Sequence, residues 1–170
     1  VKQISLQLPI SLDQINKVHA GDKILISGCI YTARDQAHKR LLAMILNNEE
    51  LPFKLKDSGI FYCGPSPAAS GQICGAVGPT TSYRMDRYLE PLLSQGLRIM
   101  IGKGDRSEQA NQLIRRYGAL YLCAVGGISA VLNQHIVSCE TFLWPELGAE
   151  AIFRMEVKDF PCYVCICGTY

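Results

Sequence analysis

The sequence predicts an α/β fold with a central mixed sheet containing a βαβ unit. Residues 97 to 125 carry the first sign of it: a short apolar strand, an amphipathic helix and a second short apolar strand follow one another, as in parallel strands buried on both faces. The second sign is that earlier segments switch between a hydrophobic period of two and one near 3.6. The 170 residues, 48% hydrophobic and 19% charged, suffice to bury roughly two-thirds of the unfolded surface, so one domain over residues 1–170 is expected.

Val1 to Leu8 alternates as a strand, and Gly21-Asp22 leads into a second strand, Lys23 to Tyr31. Thr32 suits a helix N-cap. From Arg34 to Leu46, Ala37, Leu41, Leu42, Ile45 and Leu46 recur at helical spacing until Asn47-Asn48. Residues 52 to 71 are rich in Pro, Gly and Ser and read as a loop or β-excursion, with Gly59 to Cys63 strand-like. Gln72 to Val77 reads as a buried strand entering the turn Gly78-Pro79-Thr80-Thr81. The helix after that turn presents Met85, Leu89, Leu92 and Leu93 on one face and stops at Gly96. Leu97 to Ile101 is a strand, Gly102-Lys103-Gly104 a turn, Ser107 to Tyr117 a helix and Ala119 to Val125 a strand. Residues 134 to 167 return to strand character, with Phe153, Met155 and Val157 alternating along Ala151 to Val157.

Seventeen basic and 15 acidic residues are spread along the chain without the basic blocks that follow a phosphate backbone, which speaks against nucleic acid. The longest stretch free of ionisable charge, Tyr117 to Asn133, is broken by Gly118, Gly126, Gly127 and Ser129 and falls short of a membrane span. Residues 1 to 12 lack a secretory pattern, so a cytoplasmic protein is expected. The eight cysteines fall largely in apolar strand-like runs and read as reduced, buried thiols.

The stretch Gly78-Pro79-Thr80-Thr81-Ser82-Tyr83-Arg84-Met85-Asp86 sets hydroxyls and a guanidinium around a helix start. Such a start leaves N–H groups unpaired, its dipole favours anions, and arginine grips carboxylates through two bonds. A carboxylate ligand is the first expectation. Lys103 follows a buried strand between two glycines, where backbone and ammonium are both open to a ligand, and ligands of α/β sheets gather at the carboxyl ends of strands. A phosphate loop is excluded there, because five residues separate Gly96 from Gly102 and glycine follows the lysine. Thr80 and Thr81 also suit capping, and His38 also suits a helix surface. Cys162, Cys165 and Cys167 suggest a metal, but strand alternation turns Cys162 away from the other two, and structural thiols are the expectation.

Three segments together resemble a known family: Thr32-Ala33-Arg34-Asp35-Gln36-Ala37-His38-Lys39-Arg40, the Gly78 to Asp86 stretch, and Ile101-Gly102-Lys103-Gly104. They are similar to the C-terminal domain, or separate β subunit, of iron-sulfur-dependent class I fumarate hydratases and L(+)-tartrate dehydratases. Pro145 to Ile152 and Val157 to Pro161 extend the likeness over nearly the whole chain. The resemblance implies a swivelling β/β/α domain docked on an α subunit that holds a 4Fe-4S cluster, this chain binding no metal itself. It implies that Arg34, Arg84 and Lys103, with His38 in the first motif, bind substrate carboxylates. Thr80 and Thr81 would lie near the carbon that exchanges a proton, and the open iron would act as Lewis acid on the leaving hydroxyl. The expected activity is reversible hydration of fumarate to (S)-malate, with L(+)-tartrate dehydration, a non-catalytic dicarboxylate-binding or assembly module, and a metal protein built on the C-terminal thiols as the alternatives. The expected partners are the α subunit and a small dicarboxylate, with a homodimer possible for the isolated chain.

Overall fold

A computed structural model describes residues 1–124 and 129–168, so Val125, Gly126, Gly127, Ile128, Thr169 and Tyr170 lie outside the described residues. Seven strands form one mixed sheet: β1 (Gln3–Gln7), β2 (Lys23–Thr32), β3 (Gly59–Phe61), β4 (Ile99–Gly102), β5 (Leu120–Ala124), β6 (Ile136–Leu143) and β7 (Ile152–Cys167). The helices are α1 (Leu12–Ile15), α2 (Asp35–Leu46), α3 (Leu89–Ser94), α4 (Glu108–Arg116) and α5 (Ser129–Asn133), with 3-10 helices at Ser82–Tyr88 and Pro145–Glu150. None of the helices among the described residues is long and apolar enough to cross a membrane.

β1 to β5 pair in parallel in the order β1-β2-β3-β4-β5, and β7 runs antiparallel to β5 and β6. The long β7 also pairs antiparallel with β2, so β2, β3, β4, β5 and β7 make a closed circuit with β1 and β6 attached. Alternation along these strands fills two cores. Phe61, Ile99, Ile101, Leu120, Leu122, Phe160 and Cys162 pack in one. Ile60, Tyr62, Met100, Tyr121 and Ile166 pack in the other, against Ala37 and Leu41 of α2, Leu89 and Leu92 of α3, and Ile114 of α4. Both faces of β3, β4 and β5 are therefore buried, which is why their sequences read as unbroken apolar runs.

The βαβ unit is as expected: β4 and β5 pair in parallel, and Ser107 caps α4 by accepting from the Ala110 N–H at 3.1 Å. Four local readings are corrected. The strand-like piece Gly59 to Cys63 does contribute a strand, β3, but it is a central strand of the sheet and not part of a loop or loose excursion. Gln72 to Val77 forms no strand, because side chains satisfy its backbone in place of a ladder: Asn133 donates to Gly75 O at 2.9 Å, and the Ala76 and Val77 N–H groups donate to Ser66 and Ser129 Oγ at 2.7 and 3.0 Å. Thr32 ends β2 and accepts from the Phe153 N–H at 3.0 Å, while Arg34 occupies the N-cap of α2 without a side-chain cap bond.

The fourth correction concerns the C-terminal thiols. Tyr121 pairs with Ile166 but Leu122 with Val164, so Cys165 is the extra residue of a bulge. The bulge resets the alternation. Cys162 and Cys167 therefore share a core with Val164, while the exposed Cys165 forms a disulfide with Cys123 across the neighbouring strand, unlike the expected free thiols. Cys29, Cys63, Cys74, Cys139 and Cys162 are free thiols.

Candidate active site

The three motifs meet at the carboxyl ends of β2, β3 and β4. β2 ends at Thr32 and delivers Arg34, β3 runs into Tyr62-Cys63-Gly64, and β4 ends at Gly102 and delivers Lys103. The Thr80 N–H donates to Tyr62 O at 2.6 Å and the Ser82 N–H to Lys103 O at 3.0 Å, while Thr81 bridges Lys103 in parallel. Main-chain bonds thus lay the threonine turn across the ends of β3 and β4. Only glycine permits this closeness. A Cβ on Gly102 would stand 2.0 Å from Ser82 Oγ and 2.9 Å from Tyr62 Cδ2.

Arg34 is half-buried and folds over Gly64, where a Cβ would come within 2.8 Å of its Cδ and 3.0 Å of its Nη1. Its Nε is buried and unpaired. Thr80 is half-buried and Thr81 exposed, and the Thr81 side chain does not cap the helix that follows. Lys103 is exposed. Arg84 is exposed on the 3-10 helix and is gripped side-on by Asp35, Nε to Oδ1 at 3.2 Å and Nη2 to Oδ2 at 3.1 Å. One edge of its guanidinium is thereby held by a neighbour within the chain, a pairing that the spacing of the motifs does not reveal.

The helix start is also different from the expected anion seat. The turn opens into seven residues of 3-10 helix, and its leading N–H, that of Ser82, is already bonded to Lys103 O. Anion affinity at this shelf therefore rests on the side-chain cations. His38 is 1% exposed, with Nδ1 2.8 Å from Arg34 O and its ring 5.4 Å from Tyr62 and 5.7 Å from Tyr88. A carbonyl can only accept, so Nδ1 carries the proton and Nε2 is a buried acceptor with no partner. His38 reaches the site through Arg34.

Beneath the shelf lies a buried polar network that the sequence reading misses. The Arg106 side chain is 0% exposed; its Nε donates to Asp86 Oδ1 at 2.7 Å and its Nη1 to the Tyr62 hydroxyl at 3.0 Å. The guanidinium lies 5.2 Å from the Tyr62 ring and 5.1 Å from the Tyr121 ring. Asp86 Oδ2 accepts from the Ser107 N–H at 2.8 Å. The Tyr121 hydroxyl is 2.7 Å from Gly104 O and 2.8 Å from Ser82 Oγ. It donates to the carbonyl, so Ser82 donates to it. Two signals were present in the sequence: an acid at the end of the Gly78 to Asp86 motif, and an arginine three residues after Lys103.

Burial and the neighbouring Arg106 charge depress the His38 pKa to about 4, against the opposing hydrogen bond to Arg34, so the ring is neutral at pH 7. Burial works against the Asp35 carboxylate, but the bonds and charge of Arg84 outweigh it and hold the group below its usual range. Burial raises the Tyr62 and Tyr121 hydroxyls, so both stay protonated as the network requires. Desolvation disfavours the Arg106 cation, but Tyr62 and Asp86 more than compensate.

Among the described residues, no three His, Cys, Asp or Glu side chains converge as a metal site requires, so these residues do not fit as ligands of a cluster. A cleft of about 770 Å³ flanks the shelf and is lined by Asp35, Arg84, Asp86 and Ser107. The shelf brings cationic side chains and hydroxyls to one sheet end, an arrangement suited to an anionic ligand, with Thr81, Arg84 and Lys103 exposed.

Comparison with known proteins extends this picture. A family model described as Fumarase C-terminus matches residues 1–168. The chain is 39% identical over 168 residues to "Fumarate hydratase class I, aerobic" of Escherichia coli (strain K12), covering 96% of this chain and 31% of that protein. It is 36% identical to "Fumarate hydratase 2" of Leishmania major, covering 96% and 30%. To the "Putative L(+)-tartrate dehydratase subunit beta" of Methanocaldococcus jannaschii it is 34% identical over 151 residues, covering 86% of this chain and 77% of that one. The chain thus spans less than a third of the two fumarate hydratases and most of the smaller subunit.

Proposed function

The chain belongs to the Fumarase C-terminus family, and on that premise we propose that it is the β subunit, a single swivelling β/β/α domain over residues 1–170, of a hydro-lyase that reversibly hydrates fumarate to (S)-malate. The observation that carries this reading is the convergence at one sheet end of Thr80, Thr81 and Lys103, through the Tyr62 and Lys103 carbonyls, beside Arg34 and Arg84.

In this reading Arg34, Arg84 and Lys103 bind the two substrate carboxylates. Removing a proton next to a carboxylate builds negative charge on that group, and cations already fixed in place stabilise it without reorganising. Thr80 and Thr81 stand at the carbon that exchanges the proton. A threonine hydroxyl is a weak base alone, so the proton passes on to a group of the partner subunit. His38, neutral and bonded to Arg34 O, positions Arg34 and does not itself hold the anion. The exposure of Thr81, Arg84 and Lys103 supports a half-site, since chemistry of this kind needs a second wall to exclude water. That wall is the α subunit with its 4Fe-4S cluster, and no step is assigned to cysteines of this chain.

The test is anaerobic assembly with a cluster-bearing α subunit, followed by fumarate hydration and L(+)-tartrate dehydration assays. The expected result is fumarate turnover that depends on Arg84 and Lys103. The tartrate alternative has its own support in the 77% coverage of the Methanocaldococcus jannaschii subunit, and a strong preference for tartrate would replace fumarate with it. An intact cluster with neither activity would overturn the enzyme reading in favour of a binding module.

A further inference from the structure

We propose that Arg106 is a positioning residue that sets Thr80, Arg84 and Lys103 in register for catalysis, an inference that rests on the hydro-lyase reading. A buried guanidinium is costly unless its geometry is satisfied, and one with no exposed surface cannot touch substrate. What Arg106 does touch is informative, because each partner holds a different part of the shelf. The Tyr62 hydroxyl accepts from Nη1, while the carbonyl of the same residue accepts the Thr80 N–H. Asp86 accepts from Nε and lies two residues beyond Arg84 on the same 3-10 helix. Its second oxygen holds the Ser107 N–H and so fixes the far end of the segment that carries Lys103. Tyr121, whose ring flanks the guanidinium, is joined to both Ser82 and Gly104.

The planar fork of arginine suits this task and a lysine ammonium does not. Two N–H groups at a fixed angle bind a carboxylate and a phenol at once while the flat face lies near two rings. Lysine can keep the charge beside Asp86 but cannot make both bonds in that plane. The Nη2 of Arg106 is a buried donor without a partner, and His38 Nε2, whose ring also packs on Tyr62, is a buried acceptor without one. Donor and acceptor are complementary. Tyr62 thus touches both Arg106 and the imidazole that holds the carbonyl of Arg34, the remaining cation of the shelf.

The experiment compares Arg106→Met and Arg106→Lys in the assembled enzyme, at a temperature where circular dichroism shows both folded. A shift of the shelf by about 1 Å costs on the order of 100-fold, so kcat should fall by about that factor in Arg106→Met, less in Arg106→Lys. KM should rise too, since Arg84 and Lys103 shift with the shelf, but by a smaller factor than the fall in kcat. Hydrogen exchange of the Thr80 and Ser82 amides, read on the same protein, should lose protection in step with kcat. Wild-type kcat in Arg106→Met, or a loss matching only the unfolded fraction, would overturn the proposal. If Arg106→Met does not fold, Arg106→Lys decides by the same criteria. If the wild-type assembly shows no hydro-lyase activity, the functional reading fails by itself and amide exchange still decides: unchanged protection at Thr80 and Ser82 would refute the positioning role.

Discussion

A single methyl group added at Gly102 probes whether the threonine turn and the lysine turn act as one unit. The new Cβ of Gly102→Ala would sit 2.0 Å from Ser82 Oγ, 2.9 Å from Tyr62 Cδ2 and 3.3 Å from Ser82 Cβ. Carbon needs about 3.5 Å from its neighbours, so the two segments must part by about 1 Å or more. Tyr62 is 1% exposed and held by Arg106, which leaves the Ser82 side as the one that yields. Overpacking of this kind costs about 1–3 kcal/mol, and losing the Ser82–Tyr121 bond about 1 kcal/mol more. The same displacement carries Thr80 and Lys103 apart and should lower kcat/KM by about 100-fold. Thermal unfolding and steady-state kinetics of the assembled enzyme measure both quantities. In the double variant Ser82→Ala/Gly102→Ala the 2.0 Å contact disappears and the 2.9 and 3.3 Å contacts remain, so part of each loss should return. Gly102→Ala with wild-type Tm and kcat/KM would refute the reasoning.

Arg84→Ala and Lys103→Ala should each lose at least about 2 kcal/mol of transition-state stabilisation, read as kcat/KM; a near-normal value removes that residue from the site. Asp35→Asn releases one side of Arg84, and because this pair is partly exposed the effect is modest: KM should rise by about fivefold. A lower KM would show that Asp35 competes with substrate and does not orient Arg84. His38 links stability to pH. It is neutral in both states above pH 6.5; below that the unfolded chain takes up a proton that the folded chain, with its pKa near 4, refuses. Stability should therefore fall as pH drops from about 6.5 toward about 4, by roughly 3 kcal/mol over the full span. Tm measured between pH 7 and 5 should show this slope in the wild type and a shallower one in His38→Asn; equal slopes would contradict it.

The parts of the fold legible in the sequence were those with a period long enough to read. α2, α4 and the β4-α4-β5 unit declare themselves because each spans several repeats between glycines or caps. β3 read as strand-like, but three residues carry no period, and its central place in the sheet comes only from pairing with β2 and β4. The bulge at Cys165 was equally invisible, because alternation counted from Cys162 assumes an unbroken ladder. Arg34, Thr80, Thr81, Arg84 and Lys103 could be picked out by their places at turns and helix starts. The layer below them could not. Arg106, Tyr62, Tyr121 and the Ser82–Asp86 pair lie on four segments far apart in sequence, and their bonds exist only once the sheet brings those segments together.

Hydration of fumarate by this chain with and without a cluster-bearing α subunit, measured anaerobically for the wild type and for Lys103→Ala, tests the central claim most directly. The account predicts no turnover by the chain alone, turnover in the assembly, and a loss of about 30-fold or more in kcat/KM when Lys103 is replaced. Turnover by the isolated chain, or an assembly indifferent to Lys103, would contradict it.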